Sequence, residues 1–276
     1  MQIRLVAALL LSLLLASRAD AQFRVPTPAP GEQFHVELGL MFWQPTPLLQ
    51  IQTGNLAALS ESEVDFVQEF GIENERFNEF RAVIKAAKKH KIRISHVLAE
   101  YDAAATLQRT IVFGGQTFPV SVPATADLKW RVWRFGYEWD FVAMDRAVVG
   151  FITELKFNQV SADLEAIGFG SELTDVTAPV PTIGGIARVY PHKTFSLTAE
   201  FTGFKVPGFL AKKITDAIDD DADAKVFDLD LYGTVNFGSH VGAQLGYRSL
   251  TADYLFDEDA GDLELKGWYF GGLVRF

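Results

Sequence analysis

Lys225-Val226-Phe227-Asp228-Leu229-Asp230-Leu231-Tyr232-Gly233-Thr234-Val235-Asn236-Phe237 is the stretch whose reading decides the fold. Phe227, Leu229, Leu231, Val235 and Phe237 share one parity, and Asp228, Asp230, Tyr232, Thr234 and Asn236 share the other. Successive side chains of a strand point to opposite faces, so this stretch predicts a strand with one apolar and one polar face. After only Gly238-Ser239 the pattern returns, with Val241, Ala243, Leu245 and Tyr247 opposed to His240, Gln244 and Arg248.

The same alternation recurs toward the N-terminus. Phe195, Leu197, Ala199 and Phe201 oppose Ser196, Thr198, Glu200 and Thr202; Trp133, Phe135, Tyr137, Trp139 and Phe141 oppose Arg134, Glu138 and Asp140. Phe34, Val36, Leu38, Leu40 and Phe42 oppose His35, Glu37, Gly39 and Met41. The apolar faces carry large aromatics, whereas the polar faces mix charges with Gly, Ser and Thr. A soluble sandwich buries its apolar faces together; aromatic stripes of this kind fit lipid outside and charge inside. Hydrocarbon offers no hydrogen-bond partner, so such a sheet must close on itself.

The expected fold is therefore all-β, an antiparallel up-and-down transmembrane β-barrel. Its ten strands are expected near 34–43, 76–88, 91–108, 126–143, 147–166, 179–190, 194–206, 225–238, 240–256 and 262–276, or eight if one weak pair is a loop. Several exceed the roughly 9–11 residues that cross a bilayer, so the walls are expected to project beyond it. In the third strand Ile92, Ile94 and Leu98 share a face with His96 and Glu100, which predicts a bulge. Trp130, Trp133, Trp139 and Trp268 read as interfacial girdles.

Short turns are expected at Lys88-Lys89-His90, Met144-Asp145-Arg146, Pro191-His192-Lys193 and Gly238-Ser239, and long links over 44–75, 109–125, 167–178, 207–224 and 257–261. Short turns are periplasmic and long loops external in this class, which places both termini in the periplasm. Short helices are expected around Ala57 to Phe70 and Phe209 to Ile218.

Arg4, the apolar run Leu5 to Ala16 and the small-x-small Ala19-Asp20-Ala21 read as a secretory signal over 1–21. A periplasmic lead over 22–33 and the barrel over 34–276 complete the expected organisation. The chain has no cysteine, hence neither disulfide nor thiolate chemistry. A net charge of −10 argues against a nucleic-acid partner.

The final strand ends at an aromatic residue, with Trp268, Phe270, Val274 and Phe276 on one face. This resembles the C-terminal β-signal that the barrel-assembly machinery recognises in bacterial outer-membrane proteins. More broadly the chain resembles the small outer-membrane barrels, the group that includes OmpA-, OmpX- and OmpW-like proteins. The resemblance implies a bacterial outer-membrane location, with membrane lipid and the assembly machinery as partners. It covers architecture and carries no motif of a functional subfamily.

The polar faces place Glu37, Glu79, Glu138, Asp140, Glu154, Glu200, Asp228 and Asp230 inside with Arg81, Lys85, Arg93, Arg134, Lys156, Arg248 and Arg275. The expected lumen network centres on Glu37, Arg134, Glu138, Asp140, Glu154, Lys156, Glu200, Asp228, Asp230 and Arg248. Buried charges pair because an unpaired one is costly. Asp228 and Asp230, expected near the outer rim, resemble the paired carboxylates of the ten-stranded omptin proteases. That chemistry also needs a rim histidine, and His35, His90, His192 and His240 map to the periplasmic end with His96 only a few residues above it. No catalytic residue, cofactor or metal site is expected. The acidic runs Asp219-Asp220-Asp221-Ala222-Asp223 and Asp257-Glu258-Asp259 read as solvated loop charge. The functional expectation is a structural or surface-interaction barrel with an unidentified external ligand. A narrow channel is the alternative, and a proteolytic or lipid-modifying enzyme the third.

Overall fold

The computed structural model describes residues 29–52, 63–205, 222–256 and 259–276. The secretory segment expected over 1–21, the helix expected over 209–218 and the acidic residues 219–221 and 257–258 lie outside them. In chain order the strands are β1 (Val36–Gln52), β2 (Glu63–Asp65), β3 (Phe77–Ala87), β4 (His90–Thr106), β5 (Ile111–Phe113), β6 (Gln116–Phe118) and β7 (Pro123–Ala143). They continue with β8 (Ala147–Ala166), β9 (Gly170–His192), β10 (Phe195–Lys205), β11 (Ala222–Phe237), β12 (Val241–Phe256) and β13 (Asp259–Arg275). A short helix, α1 (Phe66–Phe70), follows β2.

Ten of these strands form the wall: β1, β3, β4 and β7 to β13, each antiparallel to the next, with β13 paired back onto β1. Closure is in register from Glu37 opposite Arg275 to Gln52 opposite Ala260.

Along β8 the outward residues Phe151, Leu155 and Phe157 are apolar while Glu154 and Lys156 are buried. Farther along, the chemistry exchanges faces. Gln159, Ser161, Asp163 and Glu165 point out, and Val160, Ala162, Leu164 and Ala166 point in. The same reversal occurs on β7 between Arg131 and Trp133. The outward stripe from Trp133 to Phe141 is nine residues long, the length a tilted strand needs to cross hydrocarbon. Only this lower zone is inverted; above it the barrel has an ordinary apolar core of the soluble kind.

This boundary resolves several departures from expectation. The mixed face of β4 arises because it crosses the boundary: Ile92 and Ile94 face lipid, His96 packs against Trp133 with tilted rings at the border, and Glu100 lies beyond. His96, six residues along β4 from His90, therefore sits at the edge of the apolar band farther from Phe276. The β4–β7 ladder runs without a shift, and the nearby bulge falls in β3, between Lys85 and Ala87. Trp130 belongs to no girdle: its parity is that of Leu128 and Val132, and it is buried inside. Phe34 precedes the first strand and is buried too, beneath the Lys85 and Arg275 cations.

The links are shorter than expected because the strands are longer. β1 continues to Gln52 through Pro45 and Pro47, which lie where neither β3 nor β2 pairs with it. Proline is tolerated there because it removes donors from an edge that has no acceptor to meet. The link expected over 167–178 is a turn at Ile167-Gly168-Phe169, with β9 beginning at Gly170. β12 and β13 likewise pair up to Phe256 opposite Asp259. Above the membrane the outward face is polar, so no aromatic stripe marks these extensions in the sequence.

The mouth at the end opposite Phe276 is filled by inserted side chains. The β5–β6 hairpin turns at Gly114 and Gly115, whose φ of 59° and 81° suit a two-residue turn, and it inserts Ile111, Phe113 and Phe118. α1 adds Phe66 and Phe70; Asp65 caps it by accepting from the Val67 and Gln68 amides at 3.0 Å, and Gly71 at φ 70° ends it. Of the helix expected over 57–70, residues 57–62 lie outside the described part, and 66–70 are helical.

Candidate functional site

Among the described residues, buried charge of both signs is gathered in the lumen below the apolar core. Alternation along all ten wall strands, β1, β3, β4 and β7 to β13, delivers its side chains from every side. Among the described residues, nine carboxylates (Glu32, Glu37, Glu79, Glu138, Asp140, Glu154, Glu200, Asp228, Asp230) meet nine cations (Arg81, Lys85, Lys91, Arg93, Arg134, Lys156, Arg188, Arg248, Arg275).

The mouth at the Phe276 end of the barrel is closed by the lead itself. A single turn at Pro30–Glu32 enters the barrel and buries Glu32, whose carboxylate accepts from Arg188 at 2.5 Å and from the Tyr190 hydroxyl at 3.0 Å. Lys85 donates to the Glu32 carbonyl at 2.7 Å. Lys91 then bridges upward to Glu138 at 2.7 Å and Asp140 at 2.9 Å, and Arg93 links Glu138 at 3.0 Å to Glu200 at 2.6 Å.

Higher in the lumen Asp228 collects Arg134 and Lys156, both at 2.8 Å, and two donors of Arg248 at 2.9 Å. Arg248 also reaches Glu79 at 2.9 Å and lies 5.2 Å from the Trp43 ring. Arg81 pairs with Glu79 at 2.8 Å and Asp230 at 2.9 Å, and the Tyr269 hydroxyl donates to Asp230 at 2.8 Å. Trp43, Trp130 and Tyr101, each at most 1% exposed, then roof the network. A cavity of about 50 Å³ beside Arg81, Arg93, Arg134 and Glu138 remains, room for a few waters.

The structure thus places Glu37, Arg134, Glu138, Asp140, Glu154, Lys156, Glu200, Asp228, Asp230 and Arg248 together in the lumen, Glu37 low down against Arg275 at 2.5 Å. It does not place Asp228 and Asp230 at the outer rim. β11 rises beyond them to Ala222, so both are buried at mid-lumen, at 3% and 2% exposure. His35, His90, His192 and His240 lie at strand ends at the end of the barrel that holds Phe276, and none joins them. Asp228 meets three cations and Asp230 meets Arg81 and the Tyr269 hydroxyl, and both carboxylates are closed off from solvent.

Glu32, Lys91 and Arg188 were not among the expected lumen residues. Lys91 shares parity with Arg93, and Arg188 with Tyr190, so alternation carried that signal. Glu32 stands in an aperiodic, proline-rich lead, and nothing in the sequence points it inward.

Trp268, Phe270, Val274 and Phe276 face outward on the closing strand, and the Phe276 carbonyl accepts from the amides of His35 at 2.6 Å and Val36 at 3.1 Å. Opposite them Gly246 makes room for Tyr269, since a Cβ there would lie 2.5 Å from the ring. Gly246→Val is therefore expected to displace Tyr269 from Asp230 and cost about 2 kcal/mol, read as a lowered denaturant midpoint; an unchanged midpoint would refute it.

A closed ten-strand barrel with an apolar band outside and paired charge inside is a transmembrane β-barrel of the bacterial outer-membrane type. Its fold is similar to that of the outer membrane protease OmpT from Escherichia coli, at a TM-score of 0.55 and 6% identity, over 87% of this chain and 96% of that one. Also similar are Ail, the attachment invasion locus protein of Yersinia pestis, in complex with the heparin analogue sucrose octasulfate (TM-score 0.38, 13% identity, 88% and 99% covered), and OprG from Pseudomonas aeruginosa (0.31, 8%, 87% and 94%). No family model and no curated protein matches the sequence.

Proposed function

We propose that this chain is an outer-membrane barrel with a structural or surface-interaction role and no catalytic activity, its elaborated end outside and both termini in the periplasm. The observation that carries this reading is the triple seal of the lumen: the Glu32 turn, the charge network and the Trp43–Trp130 roof stand in series. A solute would have to break buried ion pairs and then cross an apolar core. The orientation rests on loop size, because the turns near Phe276 are short while β2, α1, β5 and β6 decorate the other end. The acidic outer wall is consistent with it. Asp102, Asp127 and Asp163 stand opposite one another across three strands, and partial desolvation with the facing Asp127 holds the Asp102 carboxyl above the ordinary range. In this reading Trp268, Phe270, Val274 and Phe276 act as the signal for the assembly machinery.

Planar-bilayer recording of the refolded protein tests the role. No discrete conductance steps are expected, and Glu32→Ala is expected to remain silent because the roof is untouched. Reproducible steps whose size changes in Arg134→Gln, Glu138→Gln or Arg248→Gln would overturn the sealed barrel in favour of a narrow channel.

A further inference from the structure

β3 stops short of its neighbours. It has 11 residues, Phe77–Ala87, enough for a tilted strand to cross hydrocarbon, whereas β1 and β4 each run for 17, to Gln52 and Thr106. Above the Trp43–Phe77 and Glu79–Val97 pairs no strand joins β1 to β4. One strand separates them below, so the opening above is one strand wide, about 10 Å between their axes. It lies above the lipid-facing stripe, where water rather than hydrocarbon meets an unpaired edge. The chain's own alternation accounts for the gap. With Phe77 and Glu79 buried inside, a longer β3 would turn Glu75 and Glu73 into the apolar core beside Tyr101; instead Glu73, Asn74, Glu75 and Arg76 leave the sheet and stay exposed.

The opening is covered, but not paired. β2 joins β1 only at Gln50–Gln52, and α1 lies against β1, β4 and β7 with Phe66 and Phe70 buried. A helix spends its amides and carbonyls on itself, so the β4 edge over 98–106 is left without a ladder partner on this side. The strap formed by residues 63–76 is fastened at one point: Arg109 holds the Glu69 carboxylate at 2.6 Å and donates to the Glu63 carbonyl at 2.5 Å. The two edges of the slot differ. Pro45 and Pro47 remove donors from β1, but β4 presents Ala103-Ala104-Ala105-Thr106 with neither proline nor bulge, an edge suited to strand addition. We propose that the strap is a displaceable cover and that the β4 edge beneath it accepts an extended segment of a partner protein. That segment alternates, with apolar residues turned inward to replace Phe66 and Phe70 and polar residues turned outward.

This gives the surface-interaction reading a partner class and rests on that reading. The test uses detergent-solubilised protein and amide hydrogen exchange read by mass spectrometry. The probe is a synthetic peptide as long as the 98–106 stretch, alternating phenylalanine or valine with lysine or threonine; its control has the same residues with the apolar ones in a single block. Arg109→Ala should speed exchange about tenfold or more over 63–76 and 98–106. It should leave 159–166 of β8 unchanged, a stretch at the same height that is paired on both sides. The alternating peptide should then slow exchange over 98–106 about fivefold or more, and the control should not. Ile51→Cys with Val64→Cys, opposite each other across β1 and β2 in a chain without cysteine, ties the strap down when oxidised. In the Arg109→Ala background oxidation should abolish the peptide effect and reduction restore it. Heat-modifiable migration in gels verifies that each variant is folded. Wild-type exchange in Arg109→Ala, no protection by the alternating peptide, equal protection by the control, or protection that survives oxidation would each overturn the slot. Bilayer recording judges the sealed barrel separately, so a failure of the slot is told apart from a failure of that reading.

Discussion

Leu155→Arg is expected to destabilise the barrel in phospholipid vesicles by about 2–4 kcal/mol, whereas Ser161→Arg on the same strand and face should cost no more than about 1 kcal/mol. Both side chains point outward from β8, three outward positions apart. Leu155 pairs with Phe135 inside the aromatic stripe, one outward row in from its Trp133 edge, while Ser161 pairs with Lys129 above it. An arginine at Leu155 must either enter hydrocarbon or distort the bilayer around it. At Ser161 it reaches water, and its charge opposes the acidic row of Asp127 and Asp163. Reversible unfolding in guanidinium, followed by tryptophan fluorescence, supplies both numbers. Equal costs at the two positions would mean that the polarity exchange along β8 marks no membrane boundary.

That exchange also explains how far the sequence could be read. Where lipid lies outside, Phe227, Leu229 and Leu231 against Asp228 and Asp230 make both faces conspicuous, and the strands were legible almost to the residue. Farther out, Gln159, Ser161, Asp163 and Glu165 oppose Val160, Ala162, Leu164 and Ala166, which is still alternation but now of the ordinary soluble kind. A reading tuned to aromatic stripes therefore stopped short at Gly170–Pro179 and at Pro45. The lumen charges were legible by parity alone, because period two leaves an inward residue no other choice once its neighbours face lipid. Glu32 was not, since a chain segment that folds back into a barrel is placed by the cations it meets and not by any local repeat. Trp130 shows the opposite failure. An aromatic near a strand end suggests a girdle by composition, yet its parity with Leu128 and Val132 already assigned it to the interior.

Asp228→Asn should be among the most damaging single substitutions, costing about 3–5 kcal/mol. The amide keeps the shape but removes the charge on which Arg134, Lys156 and Arg248 converge at 2.8–2.9 Å. All three are buried, Lys156 and Arg248 at 0% exposure, so water cannot take over the lost interaction. The remaining carboxylates are committed elsewhere: Glu79 already serves Arg81 and Arg248, and Glu154 stands 3.7 Å from Lys156. The excess is one positive charge in a lumen otherwise balanced. Removing it should restore much of the loss, so Asp228→Asn combined with Lys156→Met is expected to be more stable than the sum of the single changes by about 1–3 kcal/mol. Lys156→Met alone should be the milder single variant, because Asp228 then retains both arginines, while the Thr202 hydroxyl loses a donor and Glu154 its 3.7 Å ion pair. Because the cluster lies beneath Trp43 and Trp130, added salt should not rescue Asp228→Asn as it would a surface pair. Strict additivity in the double-mutant cycle, or recovery in high salt, would show that these charges act independently or in contact with solvent, and would remove the middle seal from the barrel.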